Sequence, residues 1–443
     1  MQIGKHFSGT LSSTILLVVA NTASGAVVEI TPNDEIRAAI AALEPGDELV
    51  LTEGVYRLSS RFNIQVVGEQ DRPIVIRAKA GEKPIIEMTT SSQNILEVQA
   101  SRYLILRGLT FRGGSHGIRL MDSDYITIED NEIYETGDVG ISANSGGTYE
   151  GLVIRRNHIH HTNATGEGIY LGCSRDACRV LNSVVEYNYI HHTNRASVSQ
   201  GDGIEVKEGS AGNIIRHNVI HDTKYPGIIT YSTAGNGPPN VIEGNLIWNT
   251  SDYAIQSAAD AIIRNNIVLG APIGLQSHEN GSPSNHIVVH NTLIVNGSGI
   301  DVRNVSGPVV IANNAVYSSG GTAIRLISGN LGLVTVVGNV GAGGISGTNS
   351  GFTAGGGIDR DFVDGHFGGA PPIDLFPSVG SALIGAGSPA YATETDFNGT
   401  PRKGTADAGA YVFRAEGNPG WKLAAGFKGL SAAPMPPLDL KVR

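Results

Sequence analysis

The 443-residue chain carries a formal charge of −10, which offers nucleic acid no general attraction and requires any acidic partner to be held by a local basic cluster. Aromatic residues make up only 6% of it while glycine occurs 59 times, a composition poor in the bulk of a conventional globular core and suited to stacked thin coils.

Lys5 and His6, the apolar run Ile15-Leu16-Leu17-Val18-Val19-Ala20 and the small residues Ala23-Ser24-Gly25-Ala26 predict a secretory leader over residues 1–26. The run is shorter than the roughly 20 apolar residues that cross a bilayer, so a secreted or periplasmic protein without a membrane span is expected. Residues 33–42 have helical apolar spacing and precede Pro45-Gly46-Asp47, which predicts a short helix capping the open apolar end of a first coil. Strands are expected at 48–52, 74–76 and 84–86, and regular repeats from 95 to 337.

One line returns along that stretch about every two dozen residues: Gly117-Ile118-Arg119-Leu120, Gly140-Ile141-Ser142-Ala143, Gly168-Ile169-Tyr170-Leu171, Gly203-Ile204-Glu205-Val206, Gly227-Ile228-Ile229-Thr230, Gly274-Leu275-Gln276-Ser277 and Gly299-Ile300-Asp301-Val302. Each copy is accompanied by an apolar strand closing on asparagine, at Asn131, Asn157, Asn188, Asn218, Asn245, Asn266 and Asn291. Two short alternating strands per coil argue against leucine-rich and helical repeats. They predict an all-β, right-handed parallel β-helix filling residues 27–418 as one domain. Residues 388–411 are expected to close the solenoid, and 419–443 to form an extended tail, packed along it or free. The two cysteines, Cys173 and Cys178, lie in the longest coil and predict a local disulfide in an exported chain.

In such a solenoid aligned residues of successive coils stand about 4.8 Å apart. With isoleucine pointing inward, the first outward row reads Arg119, Ser142, Tyr170, Glu205, Ile229, Gln256, Gln276, Asp301, Arg325. The second reads Met121, Asn144, Gly172, Lys207, Tyr231, Ala258, His278, Arg303, Ile327. A plain structural wall would repeat one polar type, so this mixed face reads as a groove for a charged chain. The row before the asparagines, Glu129, Arg155, Glu186, Arg216, Glu243 and Arg264, alternates in sign and is expected to form a surface salt-bridge ladder. The asparagines themselves are expected to stack and bond one another. A third row, Tyr134, His160, His191, His221 and Trp248, holds metal-binding residue types but runs on into tyrosine and tryptophan. It is read as an aromatic stack, with no metal assigned. Asp138, Glu167 and Asp202 precede glycine strands; calcium near Glu167 and Asp202 is the one cofactor considered, and none is required.

Tyr170 and Lys207 fall on consecutive coils with Cα atoms expected about 8 Å apart, close enough for both side chains to reach one sugar ring. Glu205 lies beside Tyr170. A lysine, a tyrosine and nearby arginines in a groove suit β-elimination from a polyuronate, which needs a base for the C5 proton, an acid for the leaving oxygen and a partner for the carboxylate. Lys207 is preferred as base and Tyr170 as acid, with reversed roles open. Substrate contacts are expected from Arg119, Arg155, Glu205, Arg216, His217, Tyr231, His278 and Arg303.

On Gly168-Ile169-Tyr170-Leu171 and, one coil later, Gly203-Ile204-Glu205-Val206-Lys207, the chain resembles the family 31 alginate lyases, from about Val27 to Phe413. That resemblance implies alginate as substrate and acid and base roles for Tyr170 and Lys207. Glu205 and Lys207 are also similar to the family 6 pattern, which places an arginine one coil later; Tyr231 stands near that position and is a second candidate acid. The Asp-Pro-His-Asp motif of alginate C5-epimerases is absent, and Glu205 and Asp301 are too many coils apart for a hydrolase pair. A non-catalytic polysaccharide-binding solenoid would show a monotonous face. The expectation is a monomeric, endolytic alginate lyase.

Overall fold

The computed structural model describes residues 25–429, so the predicted leader, apart from its last two residues, and the tail beyond 429 lie outside the described residues. The chain winds into a right-handed parallel β-helix. One wall is a sheet of 13 strands taken in strict chain order, from Val27–Ile30 and Glu48–Leu51 to Val309–Ala312 and Val334–Val337. The pairings described in that wall are parallel, as a solenoid whose chain always climbs the same way requires. A sheet of 23 strands makes up a second and a third wall, which merge where Ala315–Leu326 and Asn339–Ser346 run through the bend between them, and two small sheets stand apart, Thr148–Glu150 with Arg179–Leu181 and Phe362–Asp364 with Asp374–Pro377. The second wall carries the glycine strands: Ile118–Met121, Ile141–Ala143, Ile169–Leu171, Ile204–Val206 and Ile228–Thr230 are in register. The third contains Glu132–Tyr134, His158–His160, Tyr189–Thr193, Val219–Thr223 and Leu246–Thr250.

The repeat has a steric cause. A Cβ on Gly168 would lie 2.6 Å from Ile190 Cγ2 and 2.7 Å from the Gly203 carbonyl of the next coil, so the bend there has no room for a side chain, and Gly117, Gly140, Gly203, Gly227 and Gly299 are confined in the same way. The isoleucines that follow, Ile118, Ile141, Ile169, Ile204 and Ile228, are fully buried and stack into one continuous core. At the turns Asn131, Asn157, Asn188, Asn218, Asn245, Asn266, Asn291, Asn314 and Asn339 form the expected ladder. Each amide except that of Asn339, the last, donates to the next asparagine, for example Asn188 Nδ2 to Asn218 Oδ1 at 3.0 Å, and to a carbonyl of the preceding coil, as Asn188 does to Ile154 O.

The capping helix is shorter than expected, Ile36–Ala41, because Asp34 accepts from the Thr31 amide (2.7 Å) and hydroxyl (2.8 Å) and holds residues 31–34 as a turn. Ile36 and Ile40 seal the first coil. Regular stacking begins at Val27 rather than near 95 and runs to Phe352–Ala354, beyond the expected 337. The C-terminal segment then returns along the outside of the third wall. Phe362, Leu375, Phe376, Phe397, Tyr411 and Leu423 pack on Val219, Leu246, Trp248, Ile267 and Tyr317 as a second apolar cluster. The tail as far as 429 is therefore packed: Lys428 is buried, its ammonium donating to the carbonyls of Gly244 (3.0 Å) and Phe397 (2.8 Å). Cys173 and Cys178 are joined as a disulfide. Among the described residues no helix is long and apolar enough to cross a membrane.

Candidate active site

Register on the second wall sets the site. Tyr170 pairs with Glu205, and Leu171 with Val206, so Lys207 stands one residue past the paired segment on the coil after Tyr170. The Lys207 ammonium lies 3.1 Å from Glu205 Oε1 and 3.1 Å from Glu279 Oε1. Its nitrogen is 5.9 Å from the centre of the Tyr170 ring and 4.1 Å from that of Tyr231. Tyr231 donates its hydroxyl to Glu205 Oε1 at 3.1 Å, and His278 lies 4.6 Å from it ring to ring. The structure thus brings together Tyr170, Glu205, Lys207, Tyr231 and His278.

Glu205 also belongs to a buried group of three carboxylates, Glu167, Asp202 and Glu205, whose ligand atoms lie within 4.8 Å of one another. Each has one oxygen that is buried and lacks a hydrogen-bond partner: Glu167 Oε1, Asp202 Oδ1 and Glu205 Oε2. Such orphaned acceptors are costly unless a proton or a cation meets them. Burial, with the hydrogen bonds of Thr165 and the backbone acting the other way, leaves Glu167 pushed up to about 7. Burial and then Glu205 and Glu167 hold Asp202 well above the usual carboxylate range. Glu205 also rises, by burial against the opposing pull of Lys207. Hard oxygen donors converging on one point suit calcium. Asp138 is not in the group; its Oδ1 accepts from the Thr165 hydroxyl at 2.7 Å.

Burial, and then the charges of Glu205 and Glu167, raise the Tyr170 phenol above its usual value, and Tyr231 rises by burial and Glu205. Both keep their protons at neutral pH, the state a general acid needs.

The remaining expected contacts divide. Arg119 and Arg303 lie on this face, and the Nε atom of each is buried without a hydrogen-bond partner. The positions from Arg119 to Asp301 span seven strand spacings, about 34 Å. Arg155 and Arg216 belong to the 13-stranded wall instead, paired with Glu129 at 2.6 Å and Glu186 at 2.8 Å, away from Tyr170 and Lys207. Their ladder alternates as expected, but Glu129 and Glu186 are buried rather than at the surface. His217 bonds Lys428 at 2.9 Å under the C-terminal segment. One coil is shifted: Ile273, not Leu275, pairs with Ile255, so Gly274 takes the place expected for Gln276 and Gln276 that expected for His278. The shift leaves space over Gly274, which the Tyr253 ring fills. The floor is also less open than a bare wall, for Glu205, Lys207, Tyr231 and Asp301 are nearly inaccessible. Part of that cover is the 173–178 loop, where the Arg175 amide donates to Glu279 Oε2 at 2.8 Å. Glu279 had no strand periodicity to reveal it, since it lies in a tight turn with its own backbone at positive φ.

Among solved structures, the chain is similar to XylC in complex with xylose (TM-score 0.56, 12% identity, covering 76% of this chain and 87% of that one). It is similar to the A-module of the Azotobacter vinelandii mannuronan C-5 epimerase AlgE4 (0.51, 15%, 72% and 94%). It is also similar to an alginate lyase from Paenibacillus sp. str. FPU-7 (0.47, 19%, 72% and 99%). At these identities the likenesses speak to the fold alone, and no curated protein matches the chain. Residues 17–322 match the family described as Pel9A-like, right handed beta helix region, and with more than half of its length so matched the chain belongs to that Pel9A-like β-helix family.

Proposed function

We propose that the protein is an exported polysaccharide lyase, akin to the family 31 enzymes, that cleaves alginate by β-elimination, acting endolytically as a monomer. The observation that carries this reading is the Lys207 side chain set beside two protonated tyrosines and against Glu205, one of three carboxylates with unsatisfied oxygens. Lys207 is the base: it takes the C5 proton of the uronate, and that C–H electron pair becomes the C4–C5 double bond as the C4–O bond breaks. Tyr170 gives its phenolic proton to the departing oxygen, and Tyr231 is the alternative donor. To act, Lys207 must first release the proton it shares with Glu205 and Glu279. A calcium ion held by Glu167, Asp202 and Glu205 would neutralise the substrate carboxylate as charge moves onto it. Arg119 and Arg303, on the same face, are the groups that would hold carboxylates of flanking sugars. The Cys173–Cys178 disulfide fits an oxidising, extracellular or periplasmic setting.

The test is ultraviolet absorbance against time on alginate, pectate and glucuronan, with product length analysed early in the reaction. A rise on alginate that Tyr170→Phe and Lys207→Ala abolish, both still folded, supports the proposal. Inversion at C5 without a chromophore would make the protein an epimerase, and binding without either change would make it a lectin-like solenoid.

A further inference from the structure

The histidine-rich face of the third wall is stacked as the sequence suggests: His160 and His191 are 5.1 Å apart and 3° from parallel, and His191 and His221 5.0 Å and 7°. The neighbouring outward row, Glu132 and His158, is a separate matter. Glu132 and His158 are register partners on adjacent coils, and His160 lies two residues beyond His158 on the same face. Glu132 Oε1 is 3.5 Å from His158 Nδ1 and 3.5 Å from His160 Nε2. The outer nitrogen of each ring is already engaged, His158 Nε2 with His191 Nε2 at 2.8 Å and His160 Nδ1 with His161 Nδ1 at 2.7 Å.

From this geometry we propose that Glu132, His158 and His160 form a binding site for a first-row divalent metal ion of the zinc type. Two imidazoles and a carboxylate are the donors such ions prefer. A tetrahedral ion with bonds of about 2.0–2.2 Å needs donor atoms about 3.4 Å apart, and two of the three edges already have nearly that length. Engagement of the far ring nitrogens orients both rings toward the carboxylate, the task of supporting groups around metal ligands. Access is provided by a cavity that Glu132 and His158 line together with Lys83, Asp130, Arg156 and Phe427. A fourth coordination position would be filled by water or a small anion. The site joins two coils on a wall other than that of Tyr170 and Lys207, and does not depend on the lyase reading.

The experiment uses the full-length, tag-free protein stripped with chelator, titrated with Zn2+ by calorimetry and with Co2+ by visible absorption. The expected result is one tightly bound zinc, intense absorption typical of tetrahedral cobalt, and a zinc affinity lowered by roughly tenfold or more in Glu132→Gln and in His160→Gln. Glu205→Gln should leave zinc binding unchanged. Circular dichroism establishes folding, and if His160→Gln is unfolded the partly exposed Glu132 variant decides. The proposal fails if zinc does not bind, if Glu132→Gln binds it as well as the parent, or if Glu205→Gln abolishes binding.

Discussion

Glu167 should make the cation-free protein lose stability as the pH rises. Its buried carboxyl is pushed from the usual 4.5 up to about 7, so the folded state holds the proton more tightly than the unfolded chain. The stabilisation is complete below about pH 4.5 and is lost as the pH rises through about 7. At roughly 1.4 kcal/mol for each tenfold change in proton affinity, this interval is worth about 3 kcal/mol, to order of magnitude. Asp202 and Glu205 act in the same direction. Histidines whose values burial lowers, among them His160 at about 4 and His286 at about 4, act in the opposite one, adding stability as the pH rises toward 6.5. The informative quantity is therefore the stability difference between wild type and Glu167→Gln, measured by urea unfolding with circular dichroism from about pH 5 to about pH 8. In chelator, wild type should lose about 3 kcal/mol relative to the variant across that range. With calcium the loss should vanish or reverse, because the bound cation stabilises the ionised carboxylates. A difference that stays constant with pH in chelator, or that calcium leaves unaltered, refutes the reasoning.

Replacing Tyr231 by Phe tests the choice of acid: activity within a few fold of wild type leaves Tyr170 as donor, whereas a loss of about a hundredfold or more in kcat with Tyr170→Phe still active transfers the role. Asn218→Ala removes the bonds of its amide to Val185 O and Asn245 Oδ1 and strands the Asn188 amide groups that it accepts; at about 1 kcal/mol each, denaturant unfolding should show a loss of about 4 kcal/mol. Opening the disulfide in a Cys173→Ser, Cys178→Ser double variant should cost about 2 kcal/mol by loop entropy and, by freeing the loop that holds Glu279, reduce kcat/KM on alginate; an unchanged kcat/KM would show that the loop does not support Lys207.

Periodicity alone specifies the solenoid and its register along most of the second wall. Glycine, inward isoleucine and closing asparagine are each demanded by a contact between one coil and the next, so the constraint is written into the chain again at every turn. The same repeat is enough to set Tyr170, Glu205 and Lys207 on adjacent coils. It misleads where a coil departs from the pattern: Gly274 looks like a strand-opening glycine, yet it lies under the Tyr253 ring in the outward row. It separates the row of Arg155 and Arg216 from the glycine strands but does not say which way that wall faces, and so leaves both arginines as candidates for a site from which their ion pairs with Glu129 and Glu186 separate them. Which loop groups reach the site is legible only in the folded chain, because a turn such as that of Glu279 has no repeat to locate it. Burial, too, is a property of the fold and not of the residue: the shared depth of Glu167, Asp202 and Glu205 leaves three oxygens without partners, and only their common desolvation sets them apart from ordinary carboxylates.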